Sequence, residues 1–303
     1  MDYVLQTRDL CKKYGSFKAL DNLTINVPKG SIYGLVGRNG AGKTTLIRIV
    51  TGLNHPSSGE FTFYGVKNND GKILEARRKM GAVVETPSLH PNMTARDNLI
   101  QQTKALGISD EKIDDILKLV GLANTGKKKA KNFSLGMRQR LGIAFSLVGD
   151  PEFLVLDEPI NGLDPQGIIE VREMITRLNQ EKGITILISS HILDELSRLA
   201  THYAFIERGH VIKEMSAEEL ENASRTFVHI NVNDTKILAD VLGGMGIEFR
   251  ICSPNEADIY TPVQVTPLVL ALNDKNCIVN SMSEHHESLE NYFMGLVGGV
   301  QNG

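Results

Sequence analysis

The stretch Gly37-Arg38-Asn39-Gly40-Ala41-Gly42-Lys43-Thr44-Thr45 constrains this chain more than any other. Glycine adopts backbone angles closed to other residues, so the loop can curl and aim successive N–H groups at one point. Such a concave set of donors suits phosphate oxygens. Lys43 can reach the β- and γ-phosphates of a nucleotide as a point charge, and the Thr44 hydroxyl can ligate Mg²⁺. Upstream, Ile32, Tyr33, Leu35 and Val36 form a short strand-like run; downstream, Leu46, Ile47, Ile49 and Val50 form a helix-like apolar face. Strand, glycine loop and helix N-terminus are together the setting a phosphate site requires, which a chance glycine-rich turn lacks.

At 303 residues the chain can hold one large domain and a small one. A hydrophobic content of 41% supports full cores and argues against disorder. The net charge of −3 gives no global basic footprint, so no nucleic-acid partner is expected. Cys11, Cys252 and Cys277 are scattered, with neither disulfide nor zinc spacing, which fits a reducing cytoplasm. The opening Met1-Asp2-Tyr3-Val4 has no basic segment leading into an apolar one, so no signal peptide is expected. Apolar runs such as 184–188 are too short to span a bilayer, so any membrane role must come through a partner.

A β-rich opening is expected over residues 3 to 36, with further strands at 60–64 and 80–84. Residues 94 to 148 read as a helical insert, with Thr94 and Ser109 as N-caps. Its stripe Ile113, Ile116, Leu117 and Val120 closes at Gly121. Phe153-Leu154-Val155-Leu156 is a continuous apolar run, as in a strand buried on both faces. A helix over 165–182 and a strand over 184–189 continue the α/β alternation of a parallel sheet. Ser216-Ala217-Glu218-Glu219 reads as a capping box, with a domain boundary just after it, near residue 220. Beyond it the pattern is strand 227–233, helix 235–244, strands 247–252 and 257–261, helix 266–274 and strand 277–282. That β-α-β-β-α-β order is ferredoxin-like. The cluster Lys127-Lys128-Lys129-Ala130-Lys131 reads as a solvated loop rather than a phosphate contact.

Phosphate binding alone does not hydrolyse ATP; a metal anchor and a group that positions water are also needed. Asp157 and Glu158 end the 153–156 strand, at the sheet edge that also carries the glycine loop. Asp157 can hold Mg²⁺, and Glu158 can orient the attacking water or take its proton. His191 ends the strand Thr185-Ile186-Leu187-Ile188-Ser189-Ser190, where it can donate a hydrogen bond to the γ-phosphate.

With these residues in order, the chain resembles the nucleotide-binding subunits of ATP-binding cassette (ABC) transporters over residues 3 to about 216. The match rests on Gly37–Thr45, then Asn132-Phe133-Ser134-Leu135-Gly136-Met137-Arg138-Gln139-Arg140 at the place of the family's signature loop. Phe153–Glu158, Asn161-Gly162-Leu163-Asp164 and His191 follow. The resemblance implies a P-loop NTPase α/β domain over 1–220, with a helical subdomain at about 86–148. Residues 221–303 are left as a small C-terminal α+β accessory domain. It also implies that Tyr14 stacks on adenine and that two copies close head to tail on two ATP molecules. Each ATP would lie between Gly37–Thr45 of one copy and Ser134–Met137 of the other, with Asp164 beside it. Ser134 can cap a helix whose apolar face is Met137, Leu141, Ala144, Phe145 and Val148.

Two positions depart from the family. Leu135 and Met137 stand where it usually has Gly and Gln, while Ser134 and Gly136 remain. Glu85, in Val83-Val84-Glu85-Thr86-Pro87, stands where it usually has Gln. A carboxylate there repels a triphosphate by about 4 kcal/mol at ~4 Å and an effective dielectric of ~20. Glu85 is therefore expected to engage Mg²⁺ or a basic group on a membrane partner. With Asp-Glu-Pro-Ile-Asn-Gly-Leu-Asp-Pro, these features resemble the bacitracin-resistance and lantibiotic-immunity branch. That implies an ATPase at the inner face of the cell membrane, driving removal of a peptide antibiotic through a separate permease. An exporter of another substrate, or a soluble ABC ATPase, is the alternative. The latter usually has two cassettes or a long coiled coil, and no sustained heptads occur here. A GTPase would need an Asn-Lys-x-Asp motif, which the sequence lacks. Glu158 and His191 argue against a module without catalysis.

Overall fold

The structure is a computed structural model that describes residues 2–223, 226–286 and 289–300. It divides into two compact units, residues 1–217 and 218–303.

The first unit opens with β1 (Tyr3–Tyr14), β2 (Phe17–Leu23), β3 (Asn26–Pro28) and β4 (Ile32–Val36), then α1 (Lys43–Val50). Next come β5 (Ser58–Phe63), β6 (Val66–Lys67), α2 (Ile73–Arg77) and β7 (Met80–Val83). The helical insert holds α3 (Ala95–Leu106), α4 (Ile113–Leu119) and α5 (Leu135–Leu147). β8 (Phe153–Asp157), α6 (Pro165–Lys182), β9 (Thr185–Ser190), α7 (Leu193–Ser197), β10 (His202–Glu207) and β11 (His210–Ser216) complete it.

Its main sheet has the order β11-β10-β4-β9-β8-β7, parallel throughout except for the β10–β11 pair. β4, β8 and β9 are buried along their whole length, because helices or the second sheet cover both faces of a parallel sheet. The second sheet is antiparallel, in the order β2-β1-β5-β6 with β3 also on β1. Leu46, Ile47, Ile49 and Val50 of α1 share one apolar cluster with Leu35, Phe153 and Leu187 of the main sheet and Leu5, Leu23 and Phe63 of the other. Each such side chain contributes about 1.5–3 kcal/mol when buried. The helix behind the glycine loop is thus held from two sides.

In the insert, Thr94 caps α3 with a reciprocal capping box to Asp97, and Gly107 ends it in the left-handed region. The stripe Ile113, Ile116, Leu117 and Val120 is buried, and the Lys127–Lys131 lysines are exposed. Ser109 does not cap α4. Its Oγ accepts from the Glu111 N–H in the preceding turn, and the helix starts four residues later with no side-chain cap. The apolar face of α5 also differs from the expected one. Leu141, Ala144 and Val148 are buried, but Ile143 and Leu147 are buried as well, while Met137 and Phe145 are half-buried. A helix covered on more than one side buries more than a single stripe.

The second unit follows α8 (Ala217–Ala223), within which the division falls. It contains β12 (Thr226–Val232), α9 (Thr235–Gly244), β13 (Phe249–Ser253), β14 (Glu256–Ile259), α10 (Val265–Asn273) and β15 (Val279–His286). The sheet order is β13-β14-β12-β15, antiparallel throughout, which with this element order is the ferredoxin-like arrangement. A further helix, α11 (Leu289–Val300), comes after it. Leu238 and Leu242 of α9 and Leu268 and Leu272 of α10 pack on Ile230, Val232, Ala257 and Ile259. The alternate strand residues point the other way, and there Asp258 is only 4% exposed. It accepts from His229 Nδ1 at 2.8 Å, Arg250 at 2.8 Å and Cys252 Sγ at 3.1 Å. Burial alone would raise its pKa; hydrogen bonds from His229, Arg250 and Cys252 outweigh this and hold it below the ordinary value.

A depressed carboxyl pKa contributes stability that is present above about pH 3.9 and is lost as pH falls through the folded value. Asp258→Asn should therefore destabilise the second unit by about 1–3 kcal/mol at pH 7. The gap to the native chain should close below about pH 4, as read by hydrogen exchange in β12 and β14. A gap independent of pH would show that the carboxylate charge is not what holds this sheet face.

Candidate active site

Because β7, β8, β9 and β4 run parallel, their C-terminal ends lie on one edge of the sheet, and the predicted residues follow those ends. Gly37–Thr45 leaves β4 and enters α1. Two glycines there are fixed by geometry. A Cβ on Gly37 would stand 2.4 Å from the Ile206 carbonyl oxygen, and Gly42 has φ +113° with its Cβ position 2.7 Å from the Ala19 oxygen. Gly42 is also the N-cap of α1 and offers no side chain to its first-turn N–H groups. Those donors are free to face an anion. Arg38, Asn39 and Gly40 are exposed, Ala41 is buried, and Thr44 and Thr45 are half-buried.

Lys43 is 5% exposed. Its Nζ donates to the Gly37 carbonyl at 2.7 Å and lies 3.5 Å from Glu158 Oε1. Burial holds its pKa below the ordinary lysine value, with Glu158 and Asp157 opposing that shift. The other oxygen of Glu158, Oε2, is 2.6 Å from His191 Nδ1. Thr44 Oγ1 donates to Asp157 Oδ1 at 3.3 Å. Lys43, Thr44, Asp157, Glu158 and His191, drawn from three strand ends, therefore form one connected cluster.

The other candidates lie apart from it. Ser134 caps α5, its Oγ accepting from the Met137 N–H at 3.2 Å, and Leu135 is largely exposed. Gly136 sits against Leu163 and Gly167, and Asp164 caps α6 by accepting from the Gly167 N–H at 3.2 Å. Among the described residues, no hydrogen bond or ion pair joins Ser134–Met137 to Gly37–Thr45. Tyr14 ends β1 and is 46% exposed, and its hydroxyl accepts from Asn54 Nδ2 at 2.6 Å. Glu85 has φ +60° and accepts from Arg48 of α1 at 2.5 Å, a pair open to solvent. The carboxylate expected at a metal or at a partner thus has an internal cation instead. A cavity of about 590 Å³ between α4 and α6 contains none of these residues.

One residue of the cluster was not anticipated. Ser189 of β9 donates to Asp157 Oδ1 at 2.6 Å and accepts from the Glu158 N–H at 2.9 Å. Its signal was a pair of hydroxyl residues, Ser189 and Ser190, closing a buried strand just after the apolar run Ile186-Leu187-Ile188. A polar group in that position needs partners.

The ABC transporter family model matches residues 20–161. The bacitracin transport ATP-binding protein BcrA of Bacillus licheniformis is 41% identical over 99% of each chain. The lantibiotic transport ATP-binding protein SrtF of Streptococcus pyogenes is 45% identical over 74% of this chain and 96% of its own. The chain belongs to the ABC transporter ATP-binding family. A solved ABC cassette, dimeric and bound to ADP and phosphate, matches with a TM-score of 0.63 and 25% identity, covering 70% of this chain and 98% of the other. The ABC ATPase reading drawn from the ordered motifs therefore stands, as does its kinship with bacitracin and lantibiotic transport subunits. This ABC subunit binds ATP, and ATP hydrolysis is the activity its family carries.

Gly42→Ala forces a strained φ and a backbone clash into the ABC subunit's loop. It should cost about 1–3 kcal/mol in chemical denaturation. Affinity for a fluorescent ATP analogue should fall at least about tenfold, the equivalent of ~1.4 kcal/mol. Unchanged affinity would mean that the loop's curvature is not needed to bind phosphate.

Proposed function

We propose that this ABC subunit powers the removal of a peptide antibiotic of the bacitracin or lantibiotic class through a separate membrane permease. The observation that carries the substrate class is the 41% identity to a bacitracin transport subunit along 99% of both chains, the C-terminal unit included. Among the described residues no helix is long and apolar enough to cross a membrane. A permease would therefore supply the membrane path and hold the subunit at the inner face.

In this reading Lys43 and the first-turn N–H groups of α1 bind the β- and γ-phosphates, and Tyr14 stacks on the adenine. Mg²⁺ fits the residues present. Thr44 and Asp157 give a hydroxyl and a carboxylate, hard oxygen donors that are too few to cage a cation. That suits an ion which keeps its waters and phosphate oxygens. When bound it would neutralise charge on the phosphates. Glu158 orients the attacking water and takes its proton. His191 fixes the Glu158 carboxylate and faces the γ-phosphate side. The N-terminus of α5, with Ser134 and Gly136, is left for the nucleotide of a second copy, Asp164 lying beside it. Support for this comes from the absence, among the described residues, of any polar link to the loop of its own chain and from the dimeric state of the solved cassette. Glu85 remains a candidate metal or permease contact, with Arg48 as the group it must leave to act as either.

The test replaces one atom. Glu158→Gln should keep ATP affinity, lose about 10²–10⁴-fold in turnover and accumulate an ATP-bound dimer on size exclusion. In a sensitive host carrying the permease, the native subunit should raise the inhibitory concentration of bacitracin or a lantibiotic, and Glu158→Gln should abolish that gain. Active ATPase with no protection against either class would refute the substrate assignment.

A further inference from the structure

Glu158 occupies an awkward position. Its φ is +48°, a left-handed conformation that a side chain other than glycine adopts at a cost of about 1–3 kcal/mol. Something must hold it there, and the geometry points to Ser189. Ser189 is fully buried, with 0% exposure, and it faces Asp157 directly across the parallel β8–β9 pair. A hydroxyl has one proton to give and lone pairs to receive with. Here the proton goes to Asp157 Oδ1 at 2.6 Å, and the oxygen takes the Glu158 N–H at 2.9 Å. The bond to Asp157 is short, the bond from Glu158 is of ordinary length, and Ser189 is out of water, so the hydroxyl has one orientation.

The same strand holds Glu158 at its other end. His191 lies two residues beyond Ser189, and its Nδ1 meets Glu158 Oε2 at 2.6 Å. β9 and the residue that follows it therefore grip one acid at two points, by its main-chain N–H through Ser189 and by its carboxylate through His191. Through Oδ1, Ser189 also fixes the rotation of Asp157, whose same oxygen receives the Thr44 hydroxyl at 3.3 Å. We propose that Ser189 is a positioning residue for ATP hydrolysis: it sets the metal-binding acid and the water-orienting acid against each other through one hydroxyl. The inference rests on Asp157 and Glu158 having those roles. Ser189 touches no reacting atom in it.

Removing the hydroxyl takes the acceptor from the half-buried Glu158 N–H and the donor from Asp157 Oδ1. A displacement near 1 Å in a site of this kind costs about 100-fold in rate. The experiment compares the native chain, Ser189→Ala, Ser189→Thr and Glu158→Gln, at a temperature where melting curves show each folded. The expected result for Ser189→Ala is a kcat lower by about 10- to 100-fold, with KM for ATP changed less than about threefold. The Mg²⁺ concentration for half-maximal rate should rise, since Asp157 is no longer oriented. Ser189→Thr keeps the hydroxyl on a strand-compatible residue and should restore most of the rate. A purely structural serine would shift the melting temperature of Ser189→Ala and leave kcat and the Mg²⁺ dependence as they were; that result overturns the proposal. Equal losses in the alanine and threonine variants would overturn it too. If Ser189→Ala does not fold, Ser189→Cys takes its place. Its poorer donor should give an intermediate kcat, and a native kcat would refute the inference. Failure of the site reading looks different, because Glu158→Gln would then turn over normally whatever happens at position 189.

Discussion

Lys43 carries a charge almost wholly out of water, and the rest of the site follows from that. An ammonium buried without partners would give up its proton or leave. Here the Gly37 carbonyl and the Glu158 carboxylate hold it. Both partners depend on the parallel sheet, because one begins the loop that leaves β4 and the other ends β8. The sheet depends in turn on the apolar cluster that α1 shares with both sheets. A loss of packing behind α1 would thus be felt at the charged cluster, with no change to any charged residue.

Much of this could be read from the sequence wherever one physical demand acted alone. Residues 153–156 are apolar without interruption because both faces of β8 are covered, so the strand and its terminal acids were legible. Thr94 was legible as a cap because Asp97 stands at the reciprocal position. The helices and strands of the second unit kept their own periods, and the ferredoxin-like order followed. Ser109 misled because a hydroxyl caps any turn with a free N–H, and the turn before α4 offers one. α5 misled because contact on more than one side widened its buried face. Ser189 was hidden because its meaning lies across the sheet, at Asp157, and not along its own strand. The Arg48–Glu85 pair was hidden likewise, since its members are 37 positions apart.

The chain's departures from its family now have physical surroundings. Leu135, where the family usually has glycine, reaches over Gly162, whose Cβ position lies 3.3 Å from a Leu135 methyl. The signature segment and the loop before α6 are thereby in apolar contact within one chain. Glu85 adds a negative charge to those of Asp157 and Glu158, and α1 supplies its countercharge from Arg48. The helix that begins at the glycine loop thus also restrains this acid.

In the proposed reading, where Lys43 binds phosphate and Glu158 orients water, the Lys43–Glu158 contact also bears on the order of events. One ammonium cannot serve two anions at full strength. A triphosphate drawn to Lys43 competes with Glu158 Oε1, 3.5 Å away, for the same cation. Without nucleotide, the carboxylate acts as an internal stand-in for the ligand and keeps the lysine charged and the loop in shape. With nucleotide bound at Lys43, the carboxylate would lose that hold and keep His191 and the grip on its main chain. In that reading, loading the nucleotide and freeing the Glu158 carboxylate would be a single exchange of partners at Lys43.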